Sequence, residues 1–143
     1  VYESLTRYLL EFPGDEKGTW IIDNENDGTP EHPIQMPYVN YSMLVRDFTD
    51  DVYSFVDKHE EMGLRSYAEI LKENGIEWGM DSMSTAAVKN LDAKCVLAMI
   101  LGAVRAERFC DGSLLGFFAN GSVIRWLERL KALDTDGENI VAK

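Results

Sequence analysis

Between Arg105 and Gly112 the string RAERFCDG sets two arginines, two acids and a cysteine within eight positions. A thiol close to guanidinium groups becomes a nucleophile if its pKa falls, and a helix beginning just after Cys110 would lower it further. Glu107 is the second candidate for a catalytic role. The set is incomplete. Neither His32 nor His59 lies near Cys110 in the sequence, and the Asp111 carboxylate beside the thiol opposes its ionisation. The sequence leans against an enzyme.

The same arginines support two binding chemistries. Arg105 and Arg108 are three apart, and Arg125 and Arg129 are four apart, so each pair shares a helical face. If the two helices pack side by side, these four guanidinium groups, with Asp111 next to them, form a candidate site for a phosphate or carboxylate. The segment SLLGFFANGSVIRWLERLK also has the outline of a helix-turn-helix, with Arg125, Arg129 and Lys131 on its second helix. Glu128 interrupts that face.

A purely structural account of the string is equally specific. Arg105 and Arg108 would oppose the negative end of a helix dipole, Phe109 and Cys110 would be core, Asp111 would cap the next helix, and Gly112 would turn the chain. That account predicts a partly buried Arg108 paired with an acid from another segment, because a guanidinium following ten apolar residues needs a partner for its head. Arg108→Ala should then cost about 3 kcal/mol and Arg125→Ala under about 0.5 kcal/mol.

The elements that must position these residues are legible in the periodicity. Cys95 to Val104 is apolar at every position, with Ala98, Gly102 and Ala103 among them and Asp92 as a cap. A helix apolar all round is buried all round, and this one is too short to span a membrane. The pattern predicts a central helix over 92–109. Ser4–Phe12 reads as a short amphipathic helix, stopped by Pro13-Gly14. GTWIID and IQMPYVNYS read as the strands of a small antiparallel ribbon, with Pro37 confining the second to an edge. From Ser42, the apolar residues Leu44, Phe48, Val52, Phe55 and Val56 recur at helical spacing as far as Lys58, and Leu64–Asn74 repeats the pattern up to Gly75. Ser82 or Ser84 should cap a short helix through TAAVKNL. SLLGFFAN and the segment from Ser122 close the chain, with a frayed tail from about residue 134. The fold class is therefore α+β, mainly α: one domain, 1–143, with a helical bundle around a buried central helix and a small β-ribbon near the N-terminus.

Cys95 and Cys110 are fifteen apart on what reads as one helix, about 22 Å at 1.5 Å per residue, too far for a disulfide. Free thiols suit a reducing compartment. The two histidines have no metal-ligand spacing around them, so the expectation is no metal and no cofactor. Glu3 and Arg7 stand where a signal peptide would need an apolar core, and no apolar run is long enough to span a membrane, so the expected location is cytoplasmic, with no membrane partner.

The net charge of −11 is uneven. Residues 1–81 hold 18 acids and six bases; residues 82–143 hold seven acids and eight bases. An acidic first half counts against a grip on phosphate backbones, and so against nucleic acid. It suits a protein partner with a basic surface, steered towards Asp47, Asp50, Asp51 and Asp57 on the helix from Ser42.

The string AVRAERFCDG, followed by LLGFFANGSVIRWLERL, resembles the signature of the bacterial and phage family termed domain of unknown function 6508. Its members are similar in having a buried helix ending in Arg-x-acid-Arg-Phe-Cys-acid-Gly, then a short helix, a glycine turn and a Leu-rich last helix. Glu107 and Asp111 stand here where Asp and Glu are more usual. Trp78-Gly79 and the Tyr-rich ribbon also fit the resemblance. It implies fold boundaries and no activity. The functional expectation is a non-catalytic interaction module, folded as a monomer or a simple homo-oligomer, with phage or another mobile element as its implied origin. The alternatives are a small enzyme or anion-binding module centred on Arg105 to Asp111, and a helix-turn-helix nucleic-acid binder.

Overall fold

The computed structural model describes the backbone of residues 1–142 and the side chains through Asp134. Its axis is the apolar run. Asp92 accepts a hydrogen bond from the Cys95 amide at 2.9 Å and starts a helix over Ala93–Ala106, in which every residue from Cys95 to Val104 is buried. Fully burying one Leu, Ile, Val or Met side chain contributes about 1.5–3 kcal/mol, so the six in this run (Val96, Leu97, Met99, Ile100, Leu101 and Val104) fix the helix as the centre of the fold.

Numbered in chain order, the helices are α1 Glu3–Thr6, α2 Tyr8–Glu11, α3 Met43–Lys58, α4 Tyr67–Glu73, α5 Met80–Thr85, α6 Ala93–Ala106, α7 Ser113–Ala119 and α8 Ser122–Ala142. Strands β1 (Gly18–Ile21) and β2 (Tyr38–Tyr41) pair antiparallel, with Gly18 opposite Tyr41 and Ile21 opposite Tyr38. The fold is α+β and mainly α, with the ribbon near the N-terminus. α4, α7 and α8 pack on α6, and α3 closes a further side. An aromatic cluster joins α2, α3 and α7: the Phe12 and Phe118 rings are 4.9 Å apart, and Tyr8 meets Phe48 edge-on at 5.2 Å. Among the described residues no helix is long and apolar enough to cross a membrane.

The packing explains three departures from periodicity. The first helix is broken at Arg7, so that Leu5, Tyr8 and Phe12 can all reach the core from two short turns. The helix expected from Ser82 or Ser84 through TAAVKNL instead starts at Met80 and ends at Thr85, because Ala86 is extended. Ser82 is not its cap; its hydroxyl accepts from the Glu77 amide, while a single 3-10 turn over Val88–Asn90 delivers the chain to Asp92. On α3, Val45 is fully buried while the expected Leu44 is only half-buried. The tail expected to fray from about residue 134 instead continues as helix to Ala142, and Asp134 accepts from the Tyr2 amide at 2.9 Å; the side chains after Asp134 lie outside the described residues.

Candidate functional site

RAERFCDG is a turn between α6 and α7, and its organising atoms belong to Glu107. At the end of α6 this carboxylate accepts hydrogen bonds from the amides of Gly112 (2.9 Å) and Leu114 (3.0 Å) and from the Tyr41 hydroxyl (2.5 Å). The Tyr41 oxygen in turn accepts from the Leu115 amide at 3.0 Å. The otherwise unpaired first-turn amides of α7 are thus held by one carboxylate and one phenol brought in from β2. A negative charge at that end also complements the helix dipole. Burial first, and then the bond to Glu107, pushes the Tyr41 hydroxyl well above the ordinary tyrosine range.

Asp111 does not cap α7, contrary to the sequence-based expectation. It is exposed, and the N-cap position is taken by Gly112 with no side-chain bond. Gly112 has φ +91°, and a Cβ there would lie 2.3 Å from the Trp20 ring of β1. Only glycine lets that indole lie against the turn.

The interior of the string is also outside the core. Arg108, Phe109 and Cys110 are exposed. Arg108 pairs with no acid among the described residues; its guanidinium lies 5.9 Å from the centre of the Tyr53 ring. The expectations of a buried, acid-paired Arg108 and of core positions for Phe109 and Cys110 are therefore corrected: α6 ends at Ala106, and the turn that follows faces solvent. Phe109 meets Trp78 edge-on at 5.6 Å, and the Trp78 indole donates to the Gly102 carbonyl at 2.9 Å.

The four arginines proposed as one anion site do not converge: Arg108 is exposed, and the other three face different surroundings. Arg105 lines a cavity with Tyr67 of α4 and Tyr53 of α3. Arg125 donates to the carbonyls of Ser84 (2.9 Å) and Asn120 (3.0 Å) and to the Ser122 hydroxyl. Arg129 donates to the Leu91 carbonyl at 3.1 Å. Arg125 and Arg129 thus fasten α8 to α5 and to the segment between α5 and α6, which commits guanidinium donors to backbone carbonyls of the protein.

Among the described residues nothing around Cys110 completes a catalytic set. His59 stacks on Phe55 and bonds Glu61, and His32 belongs to the loop between the strands, where its backbone bonds Thr29. Glu107 is committed to its three donors. Among the described residues no group of three or more His, Cys, Asp or Glu side chains is placed to hold a metal ion. Cys95 is buried, and that burial, helped by the Asp92 charge, raises its thiol pKa to about 11.

The family model for the family of unknown function (DUF6508) matches residues 4–136, nearly the whole chain. The chain belongs to that family. No curated protein and no solved structure matches it. The family match takes in the ribbon, Trp78-Gly79 and the Glu107 turn together, so the contacts of Tyr41 and Trp20 with that turn lie within the matched region.

The acids of α3 divide into two kinds. Asp51 accepts from Arg7 (2.7 Å) and from the Tyr8 hydroxyl (2.6 Å), and Asp57 pairs with Arg65. Asp47 and Asp50 are exposed and take part in no ion pair among the described residues. Asp50 lines a groove of about 410 Å³ between α3 and the ribbon, with Val39, Tyr41, Arg46 and Glu107. The sequence reading named the acids but missed the apolar surface beside them. Of the eleven large hydrophobic residues exposed among the described residues, six (Trp20, Ile21, Ile22, Ile34, Met36 and Tyr38) fall on the ribbon and its loop. Its signal was present: GTWIID and IQMPYVNYS are apolar on both faces, more than a two-stranded ribbon can bury.

Proposed function

We propose that the protein is a non-catalytic cytoplasmic interaction module, bacterial or phage-borne, that holds a basic protein partner against the β1–β2 ribbon. The observation that carries this reading is the apolar cluster on the ribbon, where Ile22 is 60% and Met36 79% exposed. An apolar centre rimmed by charge is the usual composition of a protein-binding patch. The rim here is acidic: Glu16, Glu25, Asp27 and Glu31 are exposed, and Asp47 and Asp50 extend the same charge onto α3. A partner with an apolar centre and Lys or Arg around it is complementary; another nucleic-acid-like or acidic surface is repelled. The absence of a base beside Cys110 and the engagement of Arg125 and Arg129 by backbone carbonyls weigh against the catalytic and helix-turn-helix alternatives.

The test is affinity capture from bacterial lysate with the parent chain and two folded variants. Ile22→Glu/Met36→Glu should lose the captured partner altogether. Asp47→Asn/Asp50→Asn should weaken capture at low salt and make it less sensitive to added salt. Capture of the same partner by the Ile22→Glu/Met36→Glu variant at parental strength refutes the proposal.

A further inference from the structure

Further along α3 from the ribbon groove, towards its C-terminal end, lies a second feature of different chemistry. A cavity of about 510 Å³ is lined by Tyr53 and Val56 of α3, Asp57, Arg65, Tyr67 of α4, and Leu101 and Arg105 of α6. That volume suits a small organic molecule. Arg105 is partly buried, yet no carboxylate among the described residues pairs with it; two neutral phenols, Tyr53 and Tyr67, share the lining with it. Each phenol hydroxyl in the lining carries a proton that it can donate to an acceptor in the cavity. Edge contact with Trp78, at 5.3 Å between ring centres, holds the Tyr67 ring in place.

We propose that this cavity binds a small organic carboxylate, with Arg105 and the Tyr67 and Tyr53 hydroxyls on the carboxylate and the apolar body of the ligand on Leu101 and Val56. The charge inventory selects a monoanion. Arg65 is neutralised by Asp57, so Arg105 is the one uncompensated cation in the lining, and a phosphate dianion would face the Asp57 carboxylate. A planar guanidinium also matches a carboxylate fork in two parallel bonds. The site is independent of the ribbon and stands whether or not the ribbon binds a protein.

Benzoate is a suitable probe, with benzamide as its neutral isostere and inorganic phosphate as the competing anion, followed by amide NMR titration of the intact chain. Benzoate should give saturable shifts at Leu101, Arg105 and Tyr67 with a dissociation constant on the order of millimolar. Benzamide should bind at least about tenfold more weakly, the loss expected for a charge-assisted pair. Arg105→Gln should abolish saturation and Tyr67→Phe should weaken benzoate about 3- to 10-fold, the second variant keeping the ring and the fold. Arg46→Gln, which removes the same charge outside the cavity, should change nothing. Equal binding of benzamide, tighter binding of phosphate, unsaturable shifts, or parental affinity in Tyr67→Phe and Arg105→Gln would each overturn the proposal.

Discussion

Replacing Glu107 tests the account of the RAERFCDG turn most directly. Glu107→Ala strips the acceptor from two α7 amides, Gly112 and Leu114, and from the Tyr41 hydroxyl. Each bond is partly exposed to solvent, so about 1 kcal/mol apiece is a fair value, below the full range for charged acceptors, and the total is about 3 kcal/mol. Glu107→Gln should be milder. Its amide oxygen can keep the place of Oε1, which serves Tyr41, Leu114 and, at 3.1 Å, Gly112, while its NH2 replaces the Oε2 acceptor that Gly112 meets at 2.9 Å; the expected cost is about 1 kcal/mol. Urea denaturation gives these numbers, and amide exchange at Gly112, Leu114 and Leu115 locates them: all three should exchange faster in Glu107→Ala. Tyr41→Phe removes the hydroxyl that bridges Glu107 to the Leu115 amide, and a double-mutant cycle of the two positions should return a coupling of about 1 kcal/mol. A loss below about 0.5 kcal/mol in Glu107→Ala, or unchanged exchange at the three amides, would show that the carboxylate does not organise α7.

Gly112→Ala meets both a positive φ and the Trp20 ring, so it should destabilise by about 2 kcal/mol and shift Trp20 fluorescence; in a Trp20→Ala background only the backbone part, about 1 kcal/mol, should remain. The arginine ranking expected from sequence should invert: Arg125→Ala, which frees the Ser84 and Asn120 carbonyls, should cost about 1–1.5 kcal/mol, whereas exposed Arg108→Ala should cost under about 0.5 kcal/mol by chemical denaturation. A thiol probe should label Cys110 in the native protein and Cys95 only on unfolding, since Cys95 is buried with its pKa raised to about 11. Tyr41 and Tyr8 both titrate above their ordinary value of 10.0 in the folded state. Their protonated forms are favoured by folding, so their contribution is complete below about pH 10 and is lost as pH rises beyond it; stability should fall on the alkaline side, less steeply in Tyr41→Phe.

The sequence alone determined whatever depends on local pattern. An unbroken apolar run from Cys95 to Val104 can only be satisfied by burial on all sides, so the central helix and its Asp92 cap followed directly. The ribbon strands, the Ser42 cap of α3 and the family resemblance were likewise legible, because each rests on residues close together in the chain. Only the tertiary structure decided what the motif's side chains touch. Asp111, adjacent to α7, read as its cap, but Glu107 five residues before Gly112 folds back over the turn and takes those amides together with Tyr41, 66 positions away. Arg108 read as buried because it follows an apolar helix, yet the helix ends two residues earlier and the turn directs it to solvent; Arg105, one turn before, lines a cavity with Tyr53 and Tyr67 instead. Long side chains choose partners by where distant segments bring donors and acceptors, and periodicity carries no record of that. The exposed ribbon and the Arg105 cavity arise for the same reason: which apolar residues stay uncovered, and which cation lacks an acid, depends on the whole packing of α3, α4 and α6 around one another.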